Sequence, residues 1–60
     1  MKLLDRLKQF TQNQILMRPY LQQEIDDFFK ACLDDIKKGR NQQEAVDICI
    51  RSINNYIYKK

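Results

Sequence analysis

"KKGRNQQEAVDICIRS", residues 37–52, is the stretch whose reading decides the fold of this chain. A charged run stops at Gly39, the sole glycine, and a new apolar periodicity opens at Val46. Glycine suits the left-handed position that follows a helix. Lys37 and Lys38 stand where the negative end of a helix dipole favours cations. Asn41 is a good N-cap, and Glu44 three residues on completes a capping-box pattern. One helix therefore ends and the next begins within a few residues, which sets the two side by side as an antiparallel hairpin.

Upstream of the corner, Leu21, Ile25, Phe28, Phe29, Cys32, Leu33 and Ile36 recur at helical spacing and form one stripe. The opposite face carries Asp26, Asp27, Lys30, Asp34 and Lys37. Asp26–Lys30 and Asp34–Lys38 are four-residue pairs with the acid first, the better orientation. Pro19 suits a first helical turn and pushes Arg18 away from helical angles, so a break is expected there. Downstream, Val46, Cys49, Ile50, Ile53, Tyr56 and Ile57 make the stripe of a third helix. In a hairpin folded near residue 40, Cys32 meets Cys49, and Ile53 sits against the Phe28–Cys32 level.

The N-terminal segment is less sharply written. Leu3, Leu7, Phe10, Gln14 and Met17 share a face, with Leu4 at its edge. A helix over about 2–13 is expected; Thr11 with Gln14 could instead cap a separate short helix, which would put a kink near residue 11. "ILM" at 15–17 reads as a last helical turn or as a short extended piece. The expectation is one all-α domain over 1–60, a three-helix mini-domain with helices at about 2–13 or 2–17, 20–38 and 42–58. The first helix packs on the hairpin of the second and third; pairing of two hairpins into a dimer is the alternative.

Sixty residues bury only about 60% of the unfolded surface, so stability is marginal. The chain has no histidine, and two cysteines alone do not close a zinc site; no metal or cofactor is expected. No apolar run is long enough for a signal-peptide core or a membrane span, so a cytoplasmic setting with free thiols is expected. Catalysis is not expected either. There is one serine, Ser52, and no glycine-rich phosphate loop. Asp27 and Asp34 share a face but lie about 10 Å apart along the axis, with Lys30 between them. Cys32 and Cys49 lie on apolar stripes without a neighbouring cation, as small buried hydrophobes do.

The net charge of +3 and pI near 9.0 permit nucleic-acid binding, but the cations are spread over all three segments. Lys2, Arg6, Lys8 and Arg18 face only Asp5 in the first segment, whereas acids outnumber lysines in the second. Arg40, Asn41, Gln42 and Gln43 carry the donors and acceptors of a base-reading helix start, yet Glu44 and Asp47 follow at once and repel phosphate.

Residues 39–57, "GRNQQEAVDICIRSINNYI", resemble the turn and second helix of ribbon-helix-helix repressors and antitoxins. The resemblance implies a DNA-reading strand before the first family helix, for which "QILMR" at 14–18 is the one candidate. The glycine, the cap and the apolar stripe are equally what a plain hairpin corner needs.

Surplus apolar residues point to protein contact instead. Ile48 lies roughly opposite the third helix's stripe, beside Arg51 and Asn55; Tyr58 is off the stripe on that side, and Leu16 is out of phase with Leu3, Leu7 and Phe10. The expected function is a small non-enzymatic regulator, inhibitor or adaptor that docks a helix face on a larger protein, on a second copy of itself, or both. Ile48, Arg51, Asn55, Tyr58 and Leu16 would be its contacts. The alternative is a DNA-binding repressor or antitoxin of ribbon-helix-helix or helix-turn-helix type using Arg40, Asn41, Gln42 and Gln43. No membrane partner is expected.

Overall fold

A computed structural model describes residues 2–59. The element order is helix α1 (Leu3–Met17), a single 3₁₀ turn (Pro19–Leu21), helix α2 (Gln22–Lys37) and helix α3 (Gln42–Tyr58). Among the described residues there is no strand. Helices α2 and α3 form the hairpin, and α1 packs on both. The thinnest dimension, 15 Å between backbone extremes, is what one helix laid over a pair produces when axes are 8–10 Å apart.

The corner between α2 and α3 is built as its residues suggest, with one change. Gly39 has φ +110, a region open to glycine. Its N–H donates to the Ile36 carbonyl at 3.0 Å, and the Arg40 N–H donates to the Asp35 carbonyl at 3.0 Å. These two bonds are the Schellman closure of a helix end. The Asn41 side-chain oxygen then accepts from the Gln43 and Glu44 N–H groups at 2.9 and 3.2 Å. The capping box is not reciprocal, however. The Glu44 carboxylate turns to the Arg40 guanidinium at 3.1 Å, because a cation one turn back offers a charge-assisted bond in place of a backbone donor.

Between α1 and α2 the chain behaves differently. The helix α1 runs unbroken through Thr11, which therefore caps nothing. Its hydroxyl donates to the Lys8 carbonyl at 2.8 Å, which lets a polar side chain be buried inside the helix. The Arg18 N–H still bonds to the Gln14 carbonyl at 2.8 Å, but Arg18 itself has left the helical region (φ −137, ψ 70), which the following proline disfavours. Pro19 opens the 3₁₀ turn, and α2 proper starts at Gln22, two residues later than the apolar pattern suggests.

The core holds Leu7 from α1, Ile25 and Cys32 from α2, and Ala45, Val46, Cys49 and Ile53 from α3. Three expectations change here. Met17 is exposed, because the buried face of α1 passes through Leu7 and Thr11 to Gln14 and Ile15, one edge away from Met17. Leu33 and Tyr56 lie at the edge of the stripe and are partly exposed; Tyr56 sets its ring edge-to-face on Phe28, with centroids 5.8 Å apart and planes at 64°. Thr11 and Ala45, small residues without a strong apolar signal, are buried instead. Of the two expected surface pairs, Asp34–Lys38 forms at 3.0 Å, whereas Asp26 and Lys30 make no ion pair among the described residues. Both groups of the formed pair are solvated, so it adds little.

Candidate functional site

The outer face of α3 carries Ile48, 41% exposed, and Arg51 in one shallow groove with Asn41, Gln43, Glu44 and Asp47. Asn55 and Tyr58 line a second depression with Lys59, nearer the end of the helix. Helical spacing is what joins these four: they fall on the side turned away from Val46, Cys49 and Ile53. Leu16 is not on that face. It lies over the groove between α1 and α2, with Gln12, Ile15, Gln22 and Asp26.

The link between the two regions is Tyr58. The Arg18 guanidinium carbon lies 5.5 Å from the centre of its ring, a cation–π contact that ties the end of α1 to the end of α3. Around this end of the bundle stand four large apolar side chains, Leu16, Met17, Tyr20 and Tyr58, exposed by 79, 66, 77 and 63%. The Leu16 groove and the neighbouring Tyr20 groove share Gln22 and Asp26, so these two side chains flank one continuous surface.

Met17 and Tyr20 were not among the expected contacts, although a signal for them exists. "LMRPY" places apolar residues on both sides of a proline break, and a corner cannot turn all of them toward one core.

The residues of the DNA reading are largely occupied within the corner. Arg40 is held by the Asp35 carboxylate at 3.6 Å and by Glu44 at 3.1 Å. Asn41 spends its side-chain oxygen on the start of α3. Gln42 and Gln43 remain exposed. The segment that a ribbon-helix-helix protein would use as its strand, Gln14–Arg18, forms the last turn of α1 and its cap, because Arg18 closes the helix by bonding back to Gln14.

Cys32 and Cys49 are both free, buried and in mutual reach. The Cys49 thiol donates to the Phe28 carbonyl at 3.3 Å. Burial above all, then the neighbouring Cys32, pushes the Cys49 thiol up to about 12. Burial also raises Cys32, with the adjacent Cys49 thiol pulling the other way and Asp35 adding to the rise. At neutral pH both are protonated, whereas nucleophiles and redox thiols work as thiolates.

Among the described residues, no buried side-chain nitrogen or oxygen lacks a hydrogen-bond partner, and no three metal-ligating side chains are gathered. No helix there is long and apolar enough to cross a membrane. No known protein family matches the chain, nor does any curated protein or solved structure.

Proposed function

We propose that this protein is a small non-enzymatic binding module that docks on a protein partner through the end of the bundle where α1 stops, together with the adjoining outer face of α3. The observation that carries the reading is the exposure of Leu16, Met17, Tyr20 and Tyr58 around Arg18. Scattered single apolar residues are ordinary on a surface. Four large ones at one corner of a 60-residue protein cost solvation free energy that a partner would recover. Tyrosine and arginine are also the side chains that most often anchor interfaces, since they combine a large body with a polar tip. Ile48 and Arg51 extend the surface along α3. The engagement of Arg40 and Asn41 inside their own corner favours this reading over recognition of DNA by that corner.

The test is site-specific photocrosslinking in cells that naturally make the protein. A photoreactive side chain replaces Leu16, Tyr20 or Ile48 in turn, with Lys30 on the outer face of α2 as the control position. A discrete adduct from positions 16 and 20, lost when Tyr58→Asp is added, is the expected result. Equal labelling from position 30 would mean that the corner has no privileged partner. A parallel selection of random duplexes that returned a defined site bound near 10⁻⁸ M would replace the reading with DNA binding.

A further inference from the structure

We propose that the groove between α2 and α3 lined by Glu24, Asp27, Phe28, Ala31 and Tyr56 seats an arginine side chain, or less well a lysine, presented by a segment of a protein partner. The floor of this groove is apolar. The Phe28 and Tyr56 rings meet edge-to-face at 5.8 Å, and the Ala31 methyl group lies one turn further along α2. The rim is acidic. Glu24 and Asp27 are three residues apart and so share a side of α2, and neither carboxylate is in an ion pair among the described residues.

A floor and rim of this kind select among occupants. A purely apolar side chain would strip water from two carboxylates and return nothing to them. An anion would be repelled. A long cationic side chain satisfies both parts at once, laying its methylene stem on the ring edges and holding its head between the acids. The planar guanidinium is favoured over the ammonium because its fork can bridge two carboxylates and lie against aromatic carbon. The groove beside Ile48 does not discriminate in this way, since Arg51 stands in it with Glu44 and Asp47. The α2–α3 groove shares no residue with the corner grooves, so the inference does not rest on the corner reading and either can fail alone.

The experiment is a titration of the isotopically labelled full chain, followed by amide chemical shifts, with an acetylated and amidated Ala-Leu-Arg-Leu-Ala peptide. The same peptide with glutamine in place of arginine serves as the control. Saturable shifts centred on Glu24, Asp27, Phe28, Ala31 and Tyr56 are expected. Binding should weaken at least about tenfold for the glutamine peptide and for the Glu24→Gln, Asp27→Asn double variant, as loss of charge-assisted hydrogen bonds implies. Both replaced side chains lie outside the core, and an otherwise unchanged spectrum verifies the fold of the variant. The proposal is overturned by any of three results. These are an absence of saturable shifts, equal binding of the glutamine peptide, and shifts centred on the Leu16–Tyr20 corner or on the outer face of α3. It is also overturned if the groove shifts with protein concentration alone and Arg6→Gln or Lys8→Gln abolishes this, because the occupant is then a second copy of the chain.

Discussion

The two corners of this molecule solve the same problem in opposite ways. Between α2 and α3, the residues from Asp35 to Glu44 build the turn from their own bonds. Gly39 takes the positive φ, two backbone bonds close α2, Asn41 caps α3, and Arg40 bridges Asp35 and Glu44. Between α1 and α2, neither helix end has a side-chain cap, a proline makes the break, and Leu16, Met17 and Tyr20 are left in water. A polar corner can satisfy itself with its own donors and acceptors. An apolar corner cannot, because apolar surface is satisfied only by something laid over it. The first corner is thus explained by its own bonds, and the second keeps the apolar surface on which the proposed docking rests.

The harshest way to test the comparison is to remove the core on which both corners rest. Ile53 is fully buried in the centre of α3, and Ile53→Ala should cost roughly 2–5 kcal/mol. So small a domain has only about 3–5 kcal/mol to lose, and thermal melting should show the variant largely unfolded, or folded only with its partner. A melting temperature within a few degrees of wild type would mean that the α3 phase is misplaced.

Next come the residues that make the α2–α3 corner self-sufficient. Gly39→Ala places a methyl group where nothing lies within 4 Å, so its cost is the strain of the left-handed backbone alone, about 1–2 kcal/mol. Asn41→Ala removes the cap of α3 and should cost about 1 kcal/mol. Urea denaturation measures both. If neither variant loses stability, the corner is not held by its own bonds, and the contrast between the corners disappears.

The thiols report on how dry the space below that corner is. Because the folded-state value of Cys49 is raised to about 12 from 9.0, the unfolded chain releases this proton first as pH rises. The contribution is therefore level below about pH 9 and is lost progressively toward pH 12, by at most about 1.4 kcal/mol per unit. Cys32 shifts in the same direction. Urea midpoints taken between pH 8 and 10 should fall in the wild type and fall less in Cys49→Ala. A wild-type midpoint that holds level across that range, or prompt reaction of either thiol with a labelling reagent in the native protein, would show that the pair is not buried.

The smallest effect on stability belongs to the open corner and the outer face of α3. Leu16→Asp and Ile48→Asp replace exposed side chains and should change the unfolding free energy by less than about 0.5 kcal/mol. If these side chains anchor a partner, binding should weaken by at least about thirtyfold, corresponding to 2 kcal/mol or more. An unfolded variant would mark its residue as core after all. Normal binding by both would move the working surface to Tyr20 and Tyr58.

Much of this architecture is legible in the residues themselves. The glycine and asparagine on either side of Arg40 mark the hairpin, and the stripes through Ile25 and Cys32 and through Val46, Cys49 and Ile53 mark its inner faces. Such features depend on local geometry, on a backbone angle only glycine tolerates and on a period of 3.6 residues, and local geometry is carried by neighbours in sequence. What lies at the edges of those stripes is not. The exposure of Met17 and Leu33, the burial of Thr11 and Ala45, the contact of Arg18 with the Tyr58 ring and the joining of Phe28 with Tyr56 beside Glu24 and Asp27 depend on where another helix stands. A helix periodicity assigns a direction to each side chain, but only the packed neighbours determine whether that direction meets protein or water.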